Sequence, residues 1–341
     1  MRVNYIVFIN KRIISDKKYY YLEETINLYG DRRKISVYLS DPKSKEALDK
    51  AFIDLRNKIG IEASKIVLQK RKPEVLSTME IIELEKLRYD YLLFKRYFKE
   101  GFKSFDKDEY VRFAQGSASV EGNSLSLLET ALVMDKGIAI EGKQVYEIQE
   151  IINLKNVKQK IFSKKQKLTE KLIKNIHKEV LYTFEEKHPG KYRTEPVYLT
   201  GSSYLPPNAS RVQELMNEFM DYYSNNKDQV YPVELSSYLH IFFESVHPFS
   251  DGNGRTGREL LNLILMDNGF PRVIINLNNR NRYINLLERL QNSKDYNKFS
   301  IFIYDLLMER KKEISQIVDE NKEYLLNKLR KKVKAKPIRY D

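Results

Sequence analysis

The residues best suited to chemistry lie in twelve consecutive positions, His247 to Arg258. They include one imidazole, one carboxylate, one amide, two guanidiniums and three glycines. Histidine accepts a proton near neutral pH without a large pKa shift, and a carboxylate is a hard oxygen ligand for Mg²⁺. Two arginines three residues apart share one helix face, where both can reach the same polyphosphate. The segment predicts a phosphate site with His247 as base and Asp251 as metal ligand.

Two apolar helices are predicted to position this loop. Val233–Val246 carries apolar residues at helical spacing, and the same pattern returns after the loop. Pro248 should end the first helix, and the second should begin at about Asn253. The free N–H groups of that helix, with Gly252 and Gly254 allowing close backbone approach, would bind phosphate. A glycine-rich turn with solvated charges is the simpler alternative, but six positions that suit one nucleotide site disfavour it.

Eight residues match every fixed position of the Fic-domain signature HxFx(D/E)GNGRxxR: His247, Phe249, Asp251, Gly252, Asn253, Gly254, Arg255 and Arg258. The chain therefore resembles Fic-domain proteins of the Fido family, over roughly residues 80–305. Most proteins with this signature are nucleotidyltransferases that move AMP from ATP to a protein hydroxyl. The resemblance implies a mainly α protein, a Fic-type helical bundle with a β-hairpin flap. It also implies a protein adenylyltransferase that modifies Ser, Thr or Tyr of a protein, including itself.

The resemblance gives each position a role. His247 is the catalytic base, and Asp251 holds Mg²⁺ or Mn²⁺. Arg255 and Arg258 neutralise the β- and γ-phosphates, and Tyr283 lies in a stretch similar to the family's RxxY near the adenine. The nucleotide-binding set is Gly252, Asn253, Gly254, Arg255, Arg258 and Tyr283.

A second motif precedes the loop, because Ser117 to Gly122 fits the (S/T)xxxE(G/N) pattern of the Fic inhibitory helix. Ser117 and Glu121 lie one turn apart on one face, and Gly122 is a natural helix stop. The resemblance implies an inhibitory helix over about 109–122 whose Glu121 pairs with Arg258 and silences transfer. An ordinary glutamate at a helix end is the alternative. In another alternative Glu121 orients a water, and the protein removes AMP or catalyses both reactions.

Residues 191–206 have the composition of strands, with a turn near Thr200 and closing prolines. They predict a β-hairpin whose position resembles the Fic flap, which holds the target segment by strand addition. The flap residues expected beside the target are Leu199, Thr200 and Gly201. A hairpin with only a structural role is the alternative.

Composition bounds the class of protein. The 341 residues are 42% hydrophobic and 31% charged, which is typical of a globular chain. The 60 Lys and Arg exceed the 47 Asp and Glu, which favours acidic partners such as nucleotides. The absence of cysteine excludes disulfides and thiolate chemistry, and only four histidines disfavour zinc. No signal peptide or membrane-length apolar run is recognisable, which predicts a cytoplasmic protein without membrane association.

Three regions are predicted. Residues 1–75 form a small β-meander and a helix starting at Asp41-Pro42. This region is expected either to bind a partner or form a homodimer, or to cover an apolar face of the main domain. A charged break at 70–73 precedes the Fic domain, 76–308. Residues 309–341 form a basic amphipathic helix and tail, where nucleic-acid binding is a minor alternative.

Other functions stay open as minor alternatives. Doc-type kinases resemble this chain but carry alanine and lysine where it has Gly252 and Gly254, which disfavours phosphate transfer. A non-enzymatic nucleic-acid-binding protein would use only the net charge of +13. His240 lies two turns before His247 without a third ligand, so a packed, hydrogen-bonded side chain is expected. The target protein, the preferred nucleotide and the oligomeric state do not follow from the sequence.

Overall fold

Alternating apolar residues near the N-terminus build an antiparallel sheet. The structure is a computed structural model that describes residues 8–164, 166–199, 202–293 and 296–330. Strands β1 (Phe8–Ile14), β2 (Lys17–Leu28) and β3 (Asp31–Leu39) pair in the order β1-β2-β3. In this register Ile9 lies opposite Leu22, which lies opposite Val37. The predicted meander is confirmed, although the part of it predicted for residues 1–7 lies outside the described residues.

Helix α1 (Lys45–Arg71) buries the apolar face that the sequence predicts, and it packs against β2, β3 and the next helix. It begins later than the expected start at Asp41-Pro42. The Asp41 carboxylate accepts a hydrogen bond from the Lys43 N–H at 2.8 Å, which closes a local turn. Ser44 is therefore the N-cap residue, and its hydroxyl accepts from Ala47 N–H at 3.2 Å.

Helix α2 (Thr78–Tyr97) begins with the predicted capping box of Ser77 and Glu80. It is buried on most sides, including three charged side chains that apolar periodicity does not select: Glu85, Arg88 and Asp90. Arg56 of α1 donates to the Asp90 carboxylate, so α1 and α2 share a buried ion pair. The charged break at 70–73 therefore lies between two helices that pack together.

The chain divides into two compact units. The first contains the residues up to Phe102, Asp267–Pro271 and the residues from Leu307 onward. The second contains Lys103–Met266 and Arg272–Leu306. The boundary expected after residue 75 thus falls inside the first unit. Its C-terminal part includes the end of α11 (Asn297–Glu320) and all of α12 (Lys322–Arg330), and residues 331–341 of the predicted basic tail lie outside the described residues.

In the described residues of the second unit, all regular secondary structure is helical. Its helices are most of α3 (Lys99–Val120), α4 (Leu127–Lys136), α5 (Val145–Asn156) followed by a π-helix at Val157–Ile161, α6 (Glu170–Val180), α7 (Val212–Asn226), α8 (Pro232–Val246), α9 (Asn253–Asp267), α10 (Leu277–Ser293) and the first part of α11. One apolar core contains side chains from every α-helix between α3 and α9, both included, and Phe249 of the loop is buried in it. Among the described residues, no helix has the length and apolarity that crossing a bilayer requires.

Candidate active site

His247 follows directly after α8, which begins with Pro232 in its first turn as predicted. His247 has a φ of 48°, and its N–H donates to Phe243 O at 3.0 Å, so the helix ends at this residue. The carbonyls at the helix end need donors. Arg193 supplies them, because its Nε donates to His247 O at 2.8 Å and its Nη2 to Val246 O at 3.4 Å. The catalytic candidate is therefore fixed through its backbone.

Asn253 closes the loop between His247 and α9. Its Nδ2 donates to Phe249 O at 2.9 Å, and its Oδ1 accepts from Phe249 N–H at 2.9 Å. Helix α9 begins at Asn253, as predicted, so the N–H groups of its first turn lack intrahelical acceptors and form an anion site. The Asn253 side chain thus shapes the loop, and its role in binding phosphate stays a prediction.

Two glycines permit close approaches that a side chain would block. Gly252 has a φ of 71°, and a Cβ there would lie 3.2 Å from Leu181. A Cβ at Gly254 would lie 2.4 Å from Glu121 Oε1 and 2.9 Å from Arg258 Nη1. Gly254 therefore leaves room for the Glu121 carboxylate directly beside the start of α9.

Arg258 joins α9 to the end of α3. Its Nε donates to Ser117 Oγ at 2.9 Å, and its Nη2 donates to Ser117 O and Glu121 Oε1, both at 2.8 Å. Helix α3 ends at Val120, and Gly122 has the φ of 104° that a helix stop requires. The contact inferred from the second motif is thus present, and it engages Nε and Nη2 of an arginine that is only 1% exposed.

Glu121 is ionised in this contact. Burial alone would raise the pKa of its carboxyl, but Arg258 and Arg255 outweigh burial and hold that pKa below its ordinary value. An ionised carboxylate therefore neutralises the buried Arg258 guanidinium.

Arg255 has different partners from those expected. Its Nη1 donates to Glu150 Oε1 at 2.6 Å, and its Nη2 donates to Asp251 Oδ1 at 3.2 Å. Both terminal nitrogens therefore bind carboxylates of the chain, and the expected contact of Arg255 with phosphates stays a prediction. Glu150 of α5 was not selected from the sequence, because 105 residues separate it from Arg255.

Asp251 is engaged through both oxygens. Oδ1 accepts from Gly252 N–H at 2.5 Å and from Arg255, and Oδ2 accepts from Lys187 Nζ at 2.5 Å. Although burial opposes the shift, Lys187 and Arg255 hold the pKa of the Asp251 carboxyl below its ordinary value. Lys187, like Glu150, was not selected from the sequence.

The donor set fits Mg²⁺ with few protein ligands. Among the residues that the structure describes, no group of three or more His, Asp or Glu side chains could hold a metal ion. Mg²⁺ commonly binds one or two carboxylates and completes its shell with phosphates and water. Asp251 Oδ2 suits that mode, because its ion pair with Lys187 is partly exposed and such a pair contributes little stability.

The His247 imidazole is neutral at neutral pH. Burial, with a smaller contribution from Arg193, lowers its pKa to about 4, although the Glu244 carbonyl, Glu121 and Asp251 act in the opposite direction. A neutral imidazole is the form that accepts a proton.

His177 of α6 holds the loop through its hydrogen bonds, a role that the sequence does not predict. Its Nδ1 accepts from Gly190 N–H at 2.8 Å, so Nε2 carries the proton and donates to Asp251 O at 2.9 Å. Its ring stacks on Phe249 with centroids 3.6 Å apart. A lone histidine among the apolar residues of α6 resembles an ordinary core residue, so no sequence signal distinguishes it.

Tyr283 is buried in the helical unit, and its role beside adenine stays a prediction. Its side chain is 1% exposed, its hydroxyl is hydrogen-bonded to His240 Nε2 at 2.9 Å, and its ring lies 5.9 Å from the Arg258 guanidinium carbon. His240 is packed and hydrogen-bonded, as predicted. Arg280 donates to Val120 O at 2.8 Å and so holds the end of α3 that carries Glu121.

The segment predicted as a hairpin flap has no strand in its described residues, 191–199 and 202–206. Ser202 N–H donates to Leu199 O at 3.1 Å. The Arg193 guanidinium links the two arms instead, donating to Glu195 O at 3.1 Å and Pro207 O at 2.6 Å. Prolines within the arms cannot donate to a ladder. Thr200 and Gly201 lie outside the described residues.

Comparison with known proteins agrees with this arrangement. Residues 167–265 match the model of the Fic/DOC family. Protein adenylyltransferase Fic of Aedes aegypti is 33% identical over 210 residues, 60% of this chain and 42% of the relative. The protein of the same name from Nematostella vectensis is 31% identical over 236 residues, 63% of this chain and 55% of the relative. The chain therefore carries a Fic/DOC-family domain, and it spans about half the length of the curated relatives that it matches.

Two solved structures share the fold. A Fic-domain-containing signaling protein from Bacteroides thetaiotaomicron has a TM-score of 0.61 at 23% identity, covering 68% of this chain and 95% of that one. Fic-1 from C. elegans, as a fragment, has a TM-score of 0.59 at 23% identity, covering 82% and 80%. A mainly helical Fic fold is thereby confirmed.

The first prediction concerns His177. His177→Ala should lower the free energy of unfolding by about 2–4 kcal/mol, because it removes two buried hydrogen bonds and a ring stack. The wild type should also lose stability as pH falls from 6.5 towards 4, since burial lowers the pKa of folded His177 to about 4. Unfolded His177 binds a proton in that window and folded His177 does not, so the variant should lose part of this pH dependence. Urea unfolding at several pH values measures both effects, and an unchanged pH slope would contradict the assignment.

Proposed function

We propose that this chain is a protein adenylyltransferase that moves AMP from ATP to a Ser, Thr or Tyr hydroxyl of a protein, including itself. We propose further that Glu121 inhibits the reaction. The observation that carries the proposal is the buried Arg258, held by Ser117 and Glu121 beside the N-terminus of α9 and near His247. The name of the relatives, protein adenylyltransferase Fic, supports the same reaction.

The reaction follows from the placement of the side chains. Phosphates of ATP bind the backbone N–H groups at the start of α9, near Gly252 and Gly254. The neutral His247 imidazole accepts the proton of the target hydroxyl, whose oxygen forms a bond to the α-phosphorus. The bond from the α-phosphorus to the bridging oxygen breaks, and pyrophosphate leaves. Most of the acceleration comes from positioning and charge neutralisation.

Arg258 completes the site only when Glu121 releases it. A guanidinium at this position can neutralise the γ-phosphate and align the α-phosphate for in-line attack. While it is bound to Glu121 and Ser117, both its Nε and its Nη2 are occupied. Asp251 would hold Mg²⁺ or Mn²⁺, which supplies further charge neutralisation at the phosphates.

The target segment would lie along residues 191–206. Arg193 anchors both arms of this segment beside His247, which supports a role in holding the target hydroxyl near the base. We therefore retain Leu199, Thr200 and Gly201 as the residues that position the target.

Removal of AMP is the second candidate function. Glu121 is ionised, and its side chain is 40% exposed, so a water can reach it near His247. A carboxylate in that place can orient a water for attack on a modified side chain.

The second prediction separates the reaction types. Glu121→Gly protein incubated with α-labelled ATP should become labelled, whereas γ-labelled ATP should leave it unlabelled, because the AMP moiety is transferred. Adding His247→Ala to this variant should abolish labelling yet retain ATP binding within a few-fold, since the imidazole acts on the hydroxyl and hardly on the phosphates. Label from γ-labelled ATP would indicate a kinase, and full activity of the variant would remove His247 from the mechanism.

The third prediction tests inhibition. The wild type should be nearly silent, and Glu121→Gly should raise α-label incorporation by roughly ten- to a hundred-fold, because it frees Arg258. The gain should vanish when Arg258→Ala is added, since Glu121 acts through that arginine. Equal incorporation by the wild type and Glu121→Gly would show that α3 has only a structural role.

A further inference from the structure

Arg255 is a buried cation between two carboxylates. Its side chain is 5% exposed, and its terminal nitrogens donate to Glu150 Oε1 at 2.6 Å and Asp251 Oδ1 at 3.2 Å. A buried guanidinium is strongly destabilising when its charge is not compensated. Asp251 lies in the loop and is partly exposed, whereas Glu150 is a nearly buried residue of α5. Glu150 is therefore the permanent partner of Arg255.

The two oxygens of Asp251 have different surroundings. Oδ1 is held by Arg255 and by Gly252 N–H, both within the loop and α9. Oδ2 contacts only one described cation, the exposed Lys187 ammonium. Oδ2 is thus the oxygen that a divalent cation can reach, and Arg255 lies on the opposite side of the same carboxylate.

The local charge then depends on Glu150. With Glu150 present, the two carboxylates and Arg255 carry one net negative charge. Without it, the positive charge of Arg255 cancels that of Asp251, and a divalent cation loses its electrostatic attraction to the site. We propose that Glu150 is a positioning residue for the metal-binding carboxylate: it holds and neutralises Arg255, which keeps Asp251 able to bind a divalent cation. The inference rests on the proposed metal role of Asp251.

The contacts of Glu150 explain why this residue is a carboxylate. Oε1 accepts from Arg255, and Oε2 accepts from Asn123 Nδ2 at 2.9 Å. Both neighbours are donors, and glutamine offers only one acceptor oxygen in its side chain. Asn123 also supplies a matched control, because Asn123→Ala removes one contact of Glu150 and leaves the Arg255 contact in place.

The test is a titration of the full chain with Mn²⁺ alone, without nucleotide, followed by electron paramagnetic resonance of free Mn²⁺. Asp251→Ala defines the binding that depends on the site. Glu150→Gln should weaken that binding by roughly ten- to a hundred-fold, as loss of supporting residues around a metal ligand does. Asn123→Ala should leave it unchanged, and circular dichroism should show that each variant is folded.

The double variant Glu150→Gln with Arg255→Gln distinguishes charge compensation from a merely structural role. It removes both charges and restores the net charge beside Asp251, so its Mn²⁺ affinity should return towards that of the wild type. If Glu150→Gln alone does not fold, the Mn²⁺ affinity of the double variant can still be compared with that of the wild type. An unchanged affinity of Glu150→Gln, or a double variant weaker than the single one, would overturn the inference.

The Mn²⁺ titration does not by itself decide the proposed function. Equal Mn²⁺ binding by the wild type and Asp251→Ala would remove the metal role of Asp251 and the inference with it. Transfer of α-label, which does not depend on this titration, would still decide whether the protein is an adenylyltransferase.

Discussion

The active site depends on one constraint, that the buried guanidinium of Arg258 must always have an anionic partner. Its side chain is nearly inaccessible, and leaving such a charge unpaired costs several kcal/mol. In this structure Ser117 and Glu121 satisfy it, and the space that Gly254 leaves lets the carboxylate approach. In the proposed function, a polyphosphate at the start of α9 takes the place of Glu121. The proposal therefore requires two arrangements of the site, which differ in the anion bound to Arg258.

The loop around this arginine is held by side chains that do not react. Asn253 closes it onto Phe249, His177 fixes the carbonyl of Asp251, and Arg193 binds the carbonyls at the end of α8. These contacts satisfy backbone groups that the ends of α8 and the loop would otherwise leave unpaired. They place His247 and Asp251 without relying on the flexibility of a glycine-rich segment. Preorganisation of this kind is what phosphoryl transfer chiefly requires from a protein.

Much of this arrangement can be predicted from the sequence where local rules apply. Pro248 and Gly122 mark helix ends, Ser77 with Glu80 caps α2, and alternation predicts the meander. The side-chain partners could not be predicted, because they depend on which helices pack together. Arg255 binds Glu150 of α5, and Tyr283 is hydrogen-bonded to His240. The described flap residues lack the predicted ladder, and the Arg193 side chain links the two arms of the segment.

The central claim is that Glu121 withholds Arg258 from the γ-phosphate. Isothermal titration of ATP and of ADP, each into the wild type and into Glu121→Gly, tests it most directly, because ADP lacks that phosphate. The account predicts that the variant binds ATP roughly tenfold more tightly than the wild type does, while its ADP affinity changes little, since a charge-assisted contact is gained with ATP alone. An equal change for both nucleotides, or no change for either, would contradict the claim.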